Sequence, residues 1–163
     1  MTICTRERKK ILSNIIKPSS VGVGALDDPL TPQIQLTEIG KITEKYLLSS
    51  EKIPGVKIDR YVIMPDHIHV IIFIYKDEYT ARKEELSKAP LKGSSRAPTP
   101  TNQMIPHIVS TFKRFCNKEI GDNIFQRGYM EHIVRDREDY ETRVRYIYEN
   151  PIRLYYNELC IEE

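Results

Sequence analysis

Two β-prone runs, 56–64 and 67–75, stand with only Pro65-Asp66 between them. The first alternates through Val56, Ile58, Tyr61 and Ile63; the second reads His67-Ile68-His69-Val70-Ile71-Ile72-Phe73-Ile74. A tight break between two such runs most simply makes an antiparallel hairpin, and the rest of the chain must build around it. Side chains alternate faces along a strand, so residues i and i+2 point the same way. His67 and His69 therefore share a face, close enough for both imidazoles to reach one divalent cation.

The flanking patterns supply the other elements. Thr2–Cys4 is a short β-prone piece. Residues 17–32 are rich in Pro, Gly, Ser and Asp and read as a loop. A helix opens at 36–40, with Ile39, Ile42, Tyr46 and Leu47 on one face, and Pro54-Gly55 closes that region. Residues 76–102 are charged and then Ser/Pro/Gly/Thr-rich, which predicts a mobile excursion. A second helix follows over 105–120, with Ile108, Val109, Phe112, Phe115 and Cys116 on its apolar side. Residues 125–134 look like a strand bent at Gly128, and 136–150 a helix with Asp136 as N-cap and Asp139 at the capping-box position. Pro151 is expected to stop that helix at Asn150. The order strand, helix, strand, strand, helix, strand, then an extra helix is the split βαβ, ferredoxin-like pattern. It predicts an α+β fold with a four-stranded antiparallel sheet, two helices on one face and a further C-terminal helix.

At 163 residues this reads as one domain, 1–163, with excursions at 17–32 and 76–102. With 25 Lys+Arg against 23 Asp+Glu, net charge argues neither for nor against nucleic acid, so any basic patch has to be local. Cys4, Cys116 and Cys160 are widely spaced without a CxxC, which fits neither a disulfide framework nor a zinc ribbon. No apolar run is long enough to span a bilayer, and the N-terminus lacks the apolar stretch of a signal peptide. The expected location is the cytoplasm, with no membrane partner.

The last helix carries Tyr146 and Asn150, four apart and so on one face. A tyrosine hydroxyl can act as a covalent nucleophile. An asparagine carbonyl oxygen suits a hard cation such as Mg²⁺ or Mn²⁺. Each has a plainer reading: Tyr146 is one of ten tyrosines and can serve as helix packing, and Asn150 before Pro151 is an ordinary helix terminator. Tyr148 lies off that face, and Tyr140 reads as surface or core. His107 reads as a surface or capping residue, and His132 as structural or as support for a ligand. Lys113, Arg114, Gln126, Arg127, Arg135 and Arg143 are candidates to line a DNA path, together with Arg145, although each alone reads as a solvated side chain. Gln126, Arg127 and Tyr129 can contact or stack on a base.

In sequence order, these segments resemble the REP-associated tyrosine transposases, within the single-tyrosine HUH transposases of insertion sequences (the IS200-like group). The resemblance is carried by Thr2-Ile3-Cys4-Thr5, His67-Ile68-His69 after Met64-Pro65-Asp66, Ser110-Thr111-Phe112-Lys113-Arg114, the run 125–135, and Tyr146-Ile147-Tyr148-Glu149-Asn150-Pro151. It implies that His67 and His69 are metal ligands with Asn150 as the polar third, that Mg²⁺ or Mn²⁺ is the cofactor, and that Tyr146 is the nucleophile. It implies a ferredoxin-like fold. It also implies cleavage and rejoining of single-stranded DNA at hairpin-flanked sites through a 5′-phosphotyrosine, by a monomer or a homodimer. Family members usually carry a longer segment before the first strand, so a shortened copy or a misassigned start is expected here, with a weakened sheet edge. The competing readings are a non-cleaving single-stranded nucleic-acid-binding module, a replication-initiator HUH nuclease, and an inactive transposase copy.

Overall fold

The computed structural model describes residues 1–16, 32–75 and 104–159, the last with side chains to 157. The expected excursions at 76–102 and, save for Pro32, at 17–32 lie outside these residues. Among these residues the fold is mixed α+β with antiparallel sheets and three α-helices: β1 Thr2–Cys4, β2 Ser13–Ile16, β3 Gln33–Leu36, α1 Glu38–Ser49, β4 Val56–Ile63, β5 His67–Ile74, α2 Met104–Ile120 and α3 Arg137–Leu159.

The hairpin forms as expected. β4 and β5 pair antiparallel from Val56↔Ile74 to Ile63↔Ile68, with one irregularity between Ile58 and Arg60. β1 adds to the other side of β5, with Cys4 opposite His67 and Thr2 opposite His69, giving the order β1-β5-β4. Strand alternation then sorts the side chains. Ile3, Ile58, Ile68 and Val70 enter a core with Leu47 of α1 and Val109, Phe112 and Cys116 of α2. His67, His69 and Phe73 occupy the opposite register, where α3 lies: Tyr146 meets His69, and Tyr140 meets Phe73 at 6.2 Å. Helices α1 and α2 also meet each other, through a Tyr46–Phe115 ring stack at 5.7 Å and a Lys45–Glu119 ion pair at 2.6 Å.

Three features differ from the reading of the sequence. First, 125–134 is not a strand. It meets β1 only at the isolated bridges Thr2↔Met130 and Thr5↔Phe125. Three steps along one chain face five along the other, so two residues bulge out around Gly128 and the ladder is lost. Lys113 Nζ takes the displaced carbonyls of Gln126 and Gly128, each at 2.7 Å. The segment still covers the free side of β1, exchanging backbone bonds with Thr2 through Met130 and with Cys4 through Gln126. Second, Pro151 does not end the last helix, which runs on to Leu159. An interior proline removes one backbone donor and crowds the preceding turn. Here Asn150 Nδ2 donates to the Tyr146 carbonyl at 2.7 Å in that turn, and Pro151 itself is buried. Asp136 does cap this helix, its Oδ1 accepting from Asp139 N at 2.9 Å. Third, β2 and β3 form a separate two-stranded sheet that the hydrophobic pattern did not predict. It is tied down by Ser13 Oγ donating to Ile63 O at 2.8 Å and by Gly40 of α1. A Cβ on that glycine would lie 1.9 Å from Leu12 O.

Candidate metal and tyrosine site

The two histidines meet as the register requires. Their Nε2 atoms stand 3.0 Å apart, and their rings cross at 80°. Each outer nitrogen is held from behind. Asp66 Oδ1 lies 2.6 Å from His67 Nδ1, and Thr2 Oγ1 lies 2.8 Å from His69 Nδ1. Asp66 is itself anchored by Arg8 Nε at 2.8 Å. A carboxylate or hydroxyl behind an imidazole fixes the ring's orientation and tautomer and leaves the far nitrogen to bind. Two ligand atoms about 2.1 Å from one cation, at the right angles of an octahedral site, stand about 3 Å apart. The observed separation therefore fits a shared cation. Among the described residues, no third His, Cys, Asp or Glu joins the pair as a ligand set.

His69 is 9% exposed. Burial first, then the neighbouring His67, pushes its pKa down to about 4. It is therefore neutral at pH 7, the form that coordinates. Against it stands Tyr146 of α3, with ring centroids 5.0 Å apart and planes at 74°. Tyr146 is 41% exposed, so its ring is packed on one side and open to solvent on the other. Asn150 follows one turn later, and its amide nitrogen bonds the Tyr146 carbonyl rather than reaching the histidines. That bond leaves its carbonyl oxygen as the unspent acceptor.

The other sequence candidates divide. Arg143 lines the same groove of about 1150 Å³ as His69 and Tyr146. Lys113 does not. It clamps the bulge, and burial pushes its pKa down. Together with Arg114 it borders a separate open depression, and the Arg114 guanidinium covers the Phe115 ring at 5.0 Å. Gln126, Arg127 and Arg135 are exposed and do not line the groove, whereas Tyr129 does. His132, read from sequence as structural or supporting, bonds Asp139 at 2.7 Å. Sequence reasoning passed over Asp66, Thr2 and Arg8. The usable signal was a carboxylate beside the first histidine in Pro65-Asp66-His67, but Thr2 and Arg8 reach the pair only through the fold.

Comparison with known proteins adds the lineage. No family model matches the sequence. An uncharacterised protein of Haemophilus influenzae is 31% identical over 169 residues, covering 99% of this chain and 84% of that protein. The REP-associated tyrosine transposase of Escherichia coli is 27% identical over 120 residues, covering 69% of this chain and 58% of that protein. A solved structure of a REP-associated tyrosine transposase bound to a REP hairpin shares the fold at a TM-score of 0.54 and 18% identity, over 93% of this chain and 64% of that one. The chain thus spans less than two thirds of both transposases. No helix among the described residues is long and apolar enough to cross a membrane. On the relatives that carry the name, the chain belongs to the REP-associated tyrosine transposase family, and the solved structure shares its fold.

Proposed function

We propose that this protein is a metal-dependent single-stranded DNA endonuclease and strand transferase acting at hairpin-flanked sites through a 5′-phosphotyrosine. The observation that carries the reading is the packing of a solvent-open tyrosine ring against one of two histidines whose free nitrogens converge. The hairpin substrate is taken from the structural relative, which was captured on a REP hairpin. The frame is read as ferredoxin-like, with the segment beside β1 standing where a fourth strand would lie.

His67 and His69 would hold Mg²⁺ or Mn²⁺, with the Asn150 carbonyl oxygen as third protein ligand. When bound, the cation would polarise the scissile phosphate and offset charge on its oxygens. Tyr146 supplies the nucleophile. Its oxygen forms the new bond to phosphorus, the bond from phosphorus to the 3′ oxygen breaks, the phenolic proton is lost to solvent and the departing 3′ oxygen takes one up from solvent. The protein then carries the 5′ phosphate and the other product ends in a 3′-hydroxyl. Attack by that hydroxyl, or by one from another strand, reverses the step and rejoins DNA without an external energy source. Asp66 and Thr2 keep both imidazoles aimed, and the α3–β5 packing keeps the phenol beside them.

The test is incubation with a labelled library of single-stranded oligonucleotides carrying hairpins, with Mg²⁺ or Mn²⁺, for wild type and Tyr146→Phe. A covalent adduct that needs metal and vanishes in the variant supports the proposal. Binding without any adduct under either metal would replace it with a non-cleaving binding module or an inactive copy.

A further inference from the structure

The groove that holds Tyr146 also holds Arg143 and His132. Arg143 lies three residues before Tyr146 on α3, so the two side chains share a helical face. The guanidinium is gripped from behind. Arg143 Nε donates to Asp139 Oδ1 at 3.1 Å, the other oxygen of Asp139 takes His132 Nε2 at 2.7 Å, and Arg143 Nη2 lies 3.4 Å from that same nitrogen. The Asp139 side chain is only 19% exposed, against 43% for Arg143 and 48% for His132. The carboxylate thus sits beneath and its two nitrogen partners face the groove.

An ordinary helix-surface ion pair has another look on this same helix. Arg137–Glu141 and Arg153–Glu149 are also four residues apart, and neither lines the groove. The Arg143 pair differs in drawing in a third side chain from outside the helix. The hydrogen bond from His132, joined by Arg143, holds the Asp139 carboxyl below its usual range against the opposing effect of desolvation. With Nε committed and Nη2 only loosely held at 3.4 Å from His132, the terminal edge of Arg143 can turn to a ligand, and a guanidinium edge matches two phosphate oxygens.

We propose that Arg143 grips a phosphate of the DNA strand beside Tyr146, and that Asp139 and His132 are positioning residues that aim its guanidinium. The proposal rests on the groove being the single-stranded DNA site, and its test separates the two ideas. A fluorescent hairpin oligonucleotide with single-stranded flanks is titrated with the full chain over a range of NaCl concentrations, and adduct formation is measured at saturating DNA. Losing one phosphate contact lowers the log–log salt slope by about 0.7 for single strands. Arg143→Ala and Arg143→Gln are expected to show that loss, with unfolding curves like wild type. Arg143→Lys keeps the slope but slows adduct formation, because a point charge lacks the fork. Asp139→Asn removes a negative charge from beneath the groove, so it binds at least as tightly while its saturating adduct rate falls about tenfold through lost aim. Arg137→Ala leaves both unchanged.

A wild-type slope in both neutral Arg143 variants overturns the assignment, even where an adduct still forms. The expected slope change with no adduct from wild type upholds the phosphate grip and overturns the cleavage reading. No binding of single-stranded DNA by wild type overturns both.

Discussion

Tyr146 of α3 stands edge-on to His69 of β5, with ring centroids 5.0 Å apart, although the two are 77 positions apart in the chain. The contact joins the exposed face of the hairpin to the C-terminal helix. It does so because β5 spends its other face on the core: Ile68 and Val70 are 0% and 1% exposed, so His67 and His69 are left pointing outward to where α3 packs.

Replacing the phenol hydroxyl is expected to separate chemistry from folding. Tyr146→Phe keeps the ring against His69 and removes a group on a residue 41% exposed. Its unfolding free energy should match wild type to within about 0.5 kcal/mol, as for other surface changes. Denaturant titration checks this; a much larger loss would mean that the hydroxyl is a structural anchor.

The residues behind the histidines are expected to matter for metal. Asp66→Asn leaves a neutral partner on His67 Nδ1 and breaks the link to Arg8. Supporting groups of this kind are typically worth about 10–100-fold in metal affinity. Calorimetric Mn²⁺ titration of wild type, Asp66→Asn and His69→Ala should give weakened binding in the first variant and none measurable in the second. Equal affinities in all three would remove the pair as a metal site.

Acid should destabilise the metal-free protein through His69. Its folded pKa is lowered, from an ordinary value near 6.5 to about 4. In that window the unfolded chain takes up a proton that the folded one resists. Stability is then fully present above about pH 6.5 and is lost as pH falls toward 4, by up to roughly 3 kcal/mol for this residue alone. Chemical unfolding from pH 7.5 to 4.5 should show a steeper fall for wild type than for His69→Gln. Parallel curves would mean that His69 is not the group responsible.

Lys113 is expected to act on stability rather than on DNA. Its ammonium holds the carbonyls of Gln126 and Gly128, so Lys113→Met removes two hydrogen bonds that brace the bulge. The expected cost is about 0.5–1.5 kcal/mol, with the salt dependence of DNA binding unchanged. A lowered salt slope with unaltered stability would return Lys113 to the DNA path.

The close approach of α1 to the chain before β2 leaves no room at Gly40. Gly40→Ala would put a methyl 1.9 Å from Leu12 O, so helix and loop have to separate. Overpacking of this kind costs about 1–3 kcal/mol or more, despite alanine's better helix propensity. A thermal melt that rises instead would show that α1 has slack.

Local periodicity by itself determined the hairpin, helices α1 and α2, and the shared face of His67 and His69, because these follow from alternation and helical spacing within short windows. The spacing of Tyr146 and Asn150 likewise put both on one face of α3. The tertiary structure decided what no window contains. Strand pairing brought Thr2 behind His69, and the helix packing brought Tyr146 in front of it. Lys113 was drawn into the bulge, which turned 125–134 from a ladder into two bridges. Pro151 shows the same limit, since it reads locally as a stop at Asn150 and the helix continues through it, with the proline buried. Propensity is a small energy set over a few residues, whereas the position of a side chain in a site is set by contacts between segments that the chain order keeps apart.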